Sequence, residues 1–290
     1  MKAYETNTNT KSAPMTSRNP LKLMAVLAHP DDESLGFGGT LAKYAAEGVE
    51  TYLVTATRGE RGRFGDSGEK PPPEVVGRVR EAELREAANI LGLREVNFLD
   101  YIDGDLDRAN VPEAVDRIAA HLRRVKPDVV ITFGPEGAYG HPDHVAISQL
   151  TSAAVVAAAG PKMPAESVSG QPSEPHRVAK LYYLEWSRAK WEAYMAATRG
   201  VLLKVDGVER PSAPWPDWTI TTVLETGEFW PTVWKAVLCH KTQIGSYKNL
   251  EHLSEAHHRG LWGTQEFYRV FSLVNGGRTR ESDVFEGLRG

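Results

Sequence analysis

The sequence predicts an α/β fold in which a mostly parallel sheet is covered by crossover helices. Short β-rich runs alternate with longer helical periodicities from Leu21 onward. The run Val129 to Phe133 is continuously apolar, as a central strand covered on both faces must be. The composition, 41% apolar and 25% charged over 290 residues, supplies a substantial core.

Leu21 to Ala28 reads as the first strand, Thr40 to Glu47 as a helix stopped by Gly48, and Glu50 to Thr57 as a second strand rich in β-branched and aromatic residues. The next helix carries Val76, Val79, Glu83/Leu84, Ala87 and Leu91 at steps of three and four before Gly92. Val96 to Leu99 follows as a strand. A third helix presents Val111, Val115, Ile118, Leu122 and Val125 on one face, and Pro127 leads into the apolar run. Pro142 then opens a helix through Ala159, at a position where its missing amide proton costs nothing. Gly160 to Arg177 is rich in Pro, Ser, Gly and Glu and is expected to be an exposed loop. Trp218 to Leu224, Pro231 to His240 and Glu266 to Val274 suggest further strands and a helix, in an order that periodicity does not fix.

The polar stretch 1–20 lacks the apolar core of a signal peptide and is expected to be a disordered tail, with 21–290 a single domain. No apolar run approaches the roughly 18 residues of a membrane span. A net charge of only -4 gives no long-range field to gather phosphate backbones or anionic lipid, so neither nucleic acid nor membrane is expected as a partner. The lone cysteine, Cys239, cannot form an internal disulfide, which fits a cytoplasmic protein. Assembly into homo-oligomers stays open.

Two segments carry chemistry. Ala28-His29-Pro30-Asp31-Asp32-Glu33 directly follows the first strand, and Gly137-Ala138-Tyr139-Gly140-His141-Pro142-Asp143-His144 follows the buried strand. In open parallel sheets, ligand sites lie outside the carboxyl ends of the strands, so both segments open into the expected crevice. Ionisable groups crowded there need a counter-charge if buried, and a cation is the simplest one. His141 and His144, three apart at a helix start, can point into one pocket. A His-Pro or Asp-Asp pair alone is ordinarily a turn with solvated side chains. Two such loops on separate strand ends offer a carboxylate, two or three imidazoles and a spare aspartate. That meets the three protein ligands and open fourth position of catalytic zinc.

At these residues, and at Gly38-Gly39-Thr40 and Thr57-Arg58-Gly59-Glu60, the chain resembles the LmbE-like or PIG-L N-acetylglucosaminyl deacetylases. The resemblance implies a Rossmann-like three-layer sandwich. It also implies one zinc ion per chain held by His29, Asp32 and His144, a general base at Asp31, and an acid or electrophilic role for protonated His141, oriented by Asp143. The implied reaction removes acetyl from a small N-acetylated amino sugar or its conjugate, with low-molecular-weight thiol biosynthesis among the family's settings. Arg80, Arg58, Tyr139, His240 and Gln243 are the corresponding substrate contacts. Arg58, Arg61 and Arg63 form either a solvated loop or a clamp for an acidic moiety. His121, His176, His252, His257 and His258 are expected on the surface.

Three rival readings stay open at this level. One is an amidase for another N-acyl or thiol-conjugate substrate. A second is a non-haem iron oxygenase, which shares the two-histidine, one-carboxylate ligand set. The third is a nucleotide-binding module, suggested by Gly36-Phe37-Gly38-Gly39 but lacking the third glycine, whose place Leu41 takes.

Overall fold

The computed structural model describes residues 19–65, 71–161, 174–197, 204–205, 208–209, 213–246, 248–277 and 279–289. Most of the expected tail and of the 160–177 loop therefore lies outside the described residues.

Alternation of strand and helix holds through the first half. In chain order it runs β1 (Lys22–Leu27), α1 (Asp32–Leu35), α2 (Gly38–Ala46), β2 (Glu50–Thr57), α3 (Pro73–Leu91), β3 (Glu95–Tyr101), α4 (Val111–Val125) and β4 (Val129–Phe133). The short α5 (Gly137–Gly140) and the long α6 (Pro142–Ala159) follow. The second half adds β5 (Lys180–Leu184), α7 (Arg188–Ala197), β6 (Lys204–Val205), β7 (Val208–Glu209), β8 (Thr222–Glu225), α8 (Trp230–Val237), α9 (Lys248–Glu251), α10 (Glu255–Trp262) and β9 (Thr264–Ser272).

The sheet has seven strands in the order β3-β2-β1-β4-β5-β9-β8. The first five run parallel, whereas β9 pairs antiparallel with β5 and β8 antiparallel with β9. β1 lies between β2 and β4, with Leu23, Met24 and Ala25 opposite Val129, Val130 and Ile131. The direction of chain progression reverses across this pair, which opens a crevice at the strands' carboxyl ends. Both motif segments leave from β1 and β4, so the topology brings them face to face.

Residues 23–28 and 129–131 are entirely buried, the burial on both faces that explains the unbroken apolar text. Gly38 and Gly39 have a packing role. A β-carbon at Gly39 would stand 2.9 Å from Thr226, and one at Gly38 3.1 Å from Val233. The Thr40 amide donates to Gln265 Oε1 at 3.1 Å, so this glycine segment fits helix packing rather than a phosphate cradle. Among the described residues no helix is long and apolar enough to cross a membrane.

One histidine departs from expectation. His258 is buried, its ring stacked on Trp230 at 5.1 Å and on Trp262 at 5.4 Å, because the α10 face it shares with Leu261 packs against α8. His121 and His176 are half-buried, and His252 and His257 are exposed.

The antiparallel end of the sheet is fastened by Glu281. Its carboxylate accepts from Lys180 Nζ, Tyr182 Oη and Asn275 Nδ2, each at 2.7 Å, and pairs with Arg269. Burial alone would raise its pKa, but these hydrogen bonds hold it down at about 2. Glu281→Ala would leave the buried Lys180 ammonium without its anion, which typically costs about 3–5 kcal/mol. Denaturant unfolding at neutral pH measures this loss. Because the folded carboxyl is depressed, its stabilisation is present above the unfolded value near 4.5 and disappears as pH falls toward about 2. The variant should therefore show a flatter acid limb of stability than the parent.

Candidate metal centre

After β1 the chain turns sharply. Asp31 adopts φ 100°, in the left-handed region that costs a non-glycine residue roughly 1–3 kcal/mol. Glu33 holds it there, accepting the Asp31 amide at 2.9 Å. Its other oxygen meets His240 Nε2 at 2.7 Å and accepts from Ser34 Oγ at 2.5 Å. Glu33 and His240 are both completely buried, so the strained turn rests on a fixed base.

The second loop is shaped by Gly137, where φ is +65° and a β-carbon would stand 2.8 Å from the Val145 amide. His141 then caps α6, its Nδ1 accepting the Asp143 amide at 3.1 Å. His144 lies one turn into the helix with its ring stacked on Phe133 at 4.0 Å.

These loops deliver three donor atoms to one point. His29 Nδ1 lies 3.3 Å from His144 Nε2, His144 Nε2 lies 3.2 Å from Asp32 Oδ1, and His29 Nδ1 lies 3.8 Å from Asp32 Oδ2. Ligands bonded at 2.0–2.1 Å around a tetrahedral zinc stand roughly 3.3 Å apart, close to the separation of His144 Nε2 from both His29 Nδ1 and Asp32 Oδ1. The Asp32 Oδ2 atom accepts the Ala28 and His29 amides, which fixes the carboxylate and leaves Oδ1 toward His144. All three side chains are buried.

A second acidic group meets His29 from behind. Its Nε2 contacts Asp143 Oδ2 at 3.0 Å and Asp103 Oδ1 at 3.1 Å. We read these carboxylates as orienting groups, because an imidazole offers one nitrogen to a metal while the other donates a hydrogen bond. Burial alone would lower the pKa of His29, but Asp103 and Asp143 raise it well above the ordinary value. Burial likewise opposes ionisation of Asp32, and His144 and His29 outweigh it and lower its pKa.

The expected orientation of His141 by the Asp143 carboxylate is not what the geometry shows. That carboxylate is occupied by His29 and by the Gly104 and Leu106 amides at 2.7 and 3.1 Å, and only the Asp143 backbone reaches His141. Burial and the neighbouring His29 and His144 pull the His141 pKa down to about 4. With Nδ1 accepting a backbone amide, a neutral His141 ring carries its proton on Nε2 and can donate from there.

The residues expected to touch substrate divide. Tyr139 stands beside the centre, its ring 5.1 Å from His144, and burial pushes its hydroxyl pKa well up. Arg80 is buried beneath the floor, donating to Gly59 and Pro30 carbonyls and lying 3.3 Å from Asp31 Oδ2. Gly59 gives it room, since a β-carbon there would stand 2.1 Å from Nη1. His240 and Gln243 support loops instead. The former is sealed against Glu33, and the latter donates to the Arg63 carbonyl. Arg58 pairs with Glu81 and Asp100 and lies over Phe98, while Arg61 pairs with Asp105. Internal anions thus occupy two arginines of the expected clamp.

Sequence reasoning missed Asp103 and Glu60. Asp103 follows β3, and Glu60 accepts its amide at 3.3 Å, tying the β2 and β3 loops together. The available signal was Asp103 and Asp105 flanking Gly104 just past a third parallel strand. Asp143→Asn keeps the shape but loses the negative charge and one of the two oxygens that serve His29 and the Gly104 and Leu106 amides, and we expect metal affinity to fall about 10- to 100-fold. Competition with a chelator measures it; unchanged affinity would remove Asp143 from this role.

The comparisons with known proteins agree with this geometry. The model of the PIG-L family, described as GlcNAc-PI de-N-acetylase, matches residues 24–155. The chain is 33% identical to a 1D-myo-inositol 2-acetamido-2-deoxy-alpha-D-glucopyranoside deacetylase of Kineococcus radiotolerans, over 93% of this chain and 83% of the relative. It is 32% identical to a mycothiol S-conjugate amidase of Streptomyces coelicolor, over 93% of this chain and 98% of the relative. A solved structure of a conserved protein from Thermus thermophilus superposes with a TM-score of 0.62 at 30% identity, covering 90% of this chain and 99% of the other. With a cluster of His and Asp side chains able to hold a metal ion at the switch point of a Rossmann-like sheet and relatives matched along most of their length, the chain belongs to the PIG-L family of LmbE-like deacetylases.

Proposed function

We propose that the protein is a zinc-dependent hydrolase that removes the acetyl group from an N-acetylated amino sugar of N-acetylglucosamine type, or from its conjugate. The observation that carries this reading is the convergence of His29 Nδ1 and Asp32 Oδ1 on His144 Nε2, with the His141 ring beside them. We assign one zinc ion per chain to those three residues. When bound, the ion supplies Lewis acidity that lowers the pKa of a water and polarises the acyl oxygen.

The chain's own groups do the rest. Asp31 takes the proton of the attacking water, its carboxylate placed by the strained turn and by Arg80. Neutral His141 offers its Nε2 proton to the acyl oxygen as negative charge develops there. The Tyr139 ring borders the centre and shields it on the α5 side. The products are acetate and a primary amine. The relatives' names direct the first assays to an acetamido sugar carrying a polyol aglycone. Similarity to the S-conjugate amidase supports a second reading, hydrolysis of the amide of a thiol conjugate. Quantifying acetate against release of other acids from both substrates separates the two.

The adjacent aspartates give a sharper test. Asp31→Asn should retain the metal and lose about 10²- to 10⁴-fold in turnover, the usual contribution of a general base. Asp32→Asn and His144→Ala should lose the metal itself. Metal content and acetate release are measured in parallel. An Asp31→Asn protein that stays fully active, or an Asp32→Asn protein that keeps its metal, overturns the assignment.

A further inference from the structure

At the carboxyl ends of β4 and β5, two carboxylates that the metal centre does not use converge without a counter-charge. Phe133 and Leu184, the last residues of these strands, are register partners, so Gly134 and Glu185 leave the sheet side by side. Glu185 is only 2% exposed. Neither of its carboxylate oxygens, nor the buried Oε2 of Glu136, meets an N–H or hydroxyl donor; the two carboxyl groups face only each other. Both side chains lean over Gly134. A β-carbon there would stand 2.0 Å from Glu185 Oε1 and 2.7 Å from Glu136 Oε2, so the missing side chain provides the space into which they point.

An uncompensated buried carboxylate costs several kcal/mol, and two together cost more. Among the described ion pairs no lysine, arginine or histidine meets either group. A proton shared between them would cancel one charge; a divalent ion cancels both. Burial, the charge of Glu136 and a hydrogen bond with it push the Glu185 carboxyl up to about 10.

We propose that Glu136 and Glu185, neither of them among the metal ligands assigned above, form a second cation site that takes a hard divalent ion of the calcium type. The donors are all oxygen, which selects hard ions over zinc-like ones. Both oxygens of Glu185 are open, and bidentate carboxylates in irregular shells suit calcium better than the rigid octahedron of magnesium. The Glu136 carbonyl accepts the Gly140 amide at 3.0 Å, so an ion here would steady the segment that carries Tyr139 and His141.

The test uses the full chain loaded with zinc, titrated with calcium chloride and with magnesium chloride at pH 8 by calorimetry and thermal unfolding. The expected result is a saturable calcium site at about one ion per chain, with a rise in the unfolding midpoint that magnesium reproduces poorly. Glu185→Gln should abolish this response. Glu136→Gln, at a half-buried and more tolerant position, and Gly134→Ala, which fills the space, should weaken or remove it. All three should retain zinc, so failure here is distinguishable from failure of the deacetylase reading. No saturable calcium binding at millimolar concentration would overturn the proposal, as would binding that survives in all three variants. A midpoint that Glu136→Gln raises without calcium, in a parent that ignores calcium, would show that the pair shares a proton instead.

Discussion

The hydrogen bonds from His29 Nε2 to Asp143 and Asp103 are the contacts on which the arrangement of the site depends. Each carboxylate also holds other parts of the chain. Asp143 binds the Gly104 and Leu106 amides, and Asp103 binds the Arg61 amide at 3.2 Å. One imidazole therefore ties together the loops after β1, β2 and β3 and the start of α6. In a dry crevice such bonds are worth more than in water, and each carboxylate needs its partners in order to be buried at all. The ring of His29 is turned toward His144 by the same contacts that close the loops.

Strain is concentrated at the residue next to Asp32. Asp31 occupies a left-handed conformation that its own side chain does not favour, and two buried groups from elsewhere keep it there. Glu33 grips its amide, and Arg80 lies under its carboxylate. His240, contributed by the segment after α8, completes the support by holding Glu33. The late part of the chain thus serves the site mechanically, through a buried hydrogen bond.

Charge is distributed so that the crevice keeps its polarity while its rim is neutralised. Arg58 and Arg61 face Glu81, Asp100 and Asp105, and exposed pairs of this kind contribute little stability but leave little free positive field. At the antiparallel end of the sheet, Glu281 gathers Lys180, Arg269, Tyr182 and Asn275 into one network, anchoring the terminal segment against β5 and β9.

The sequence by itself determined the parallel half of the fold and the meeting of His29, Asp32 and His144 in one crevice. Burial on both faces writes β1 and β4 as unbroken apolar runs, helix amphipathicity marks α3 and α4, and Pro142 marks the start of α6. Groups two or three residues apart within one loop, such as His29 and Asp32, are local enough to be read as a motif. Tertiary structure decided everything that depends on a partner distant in sequence. Asp143 looked like the orienter of its neighbour His141 but reaches across to His29. Asp103 lay in a loop with no motif of its own, and His240 turned inward to Glu33. The antiparallel placement of β9 between β5 and β8 was equally unreadable, since short amphipathic strands carry a period but no address. Local patterns record which face a residue shows to the core. Which group meets it there is fixed only when strands far apart in the chain are laid side by side.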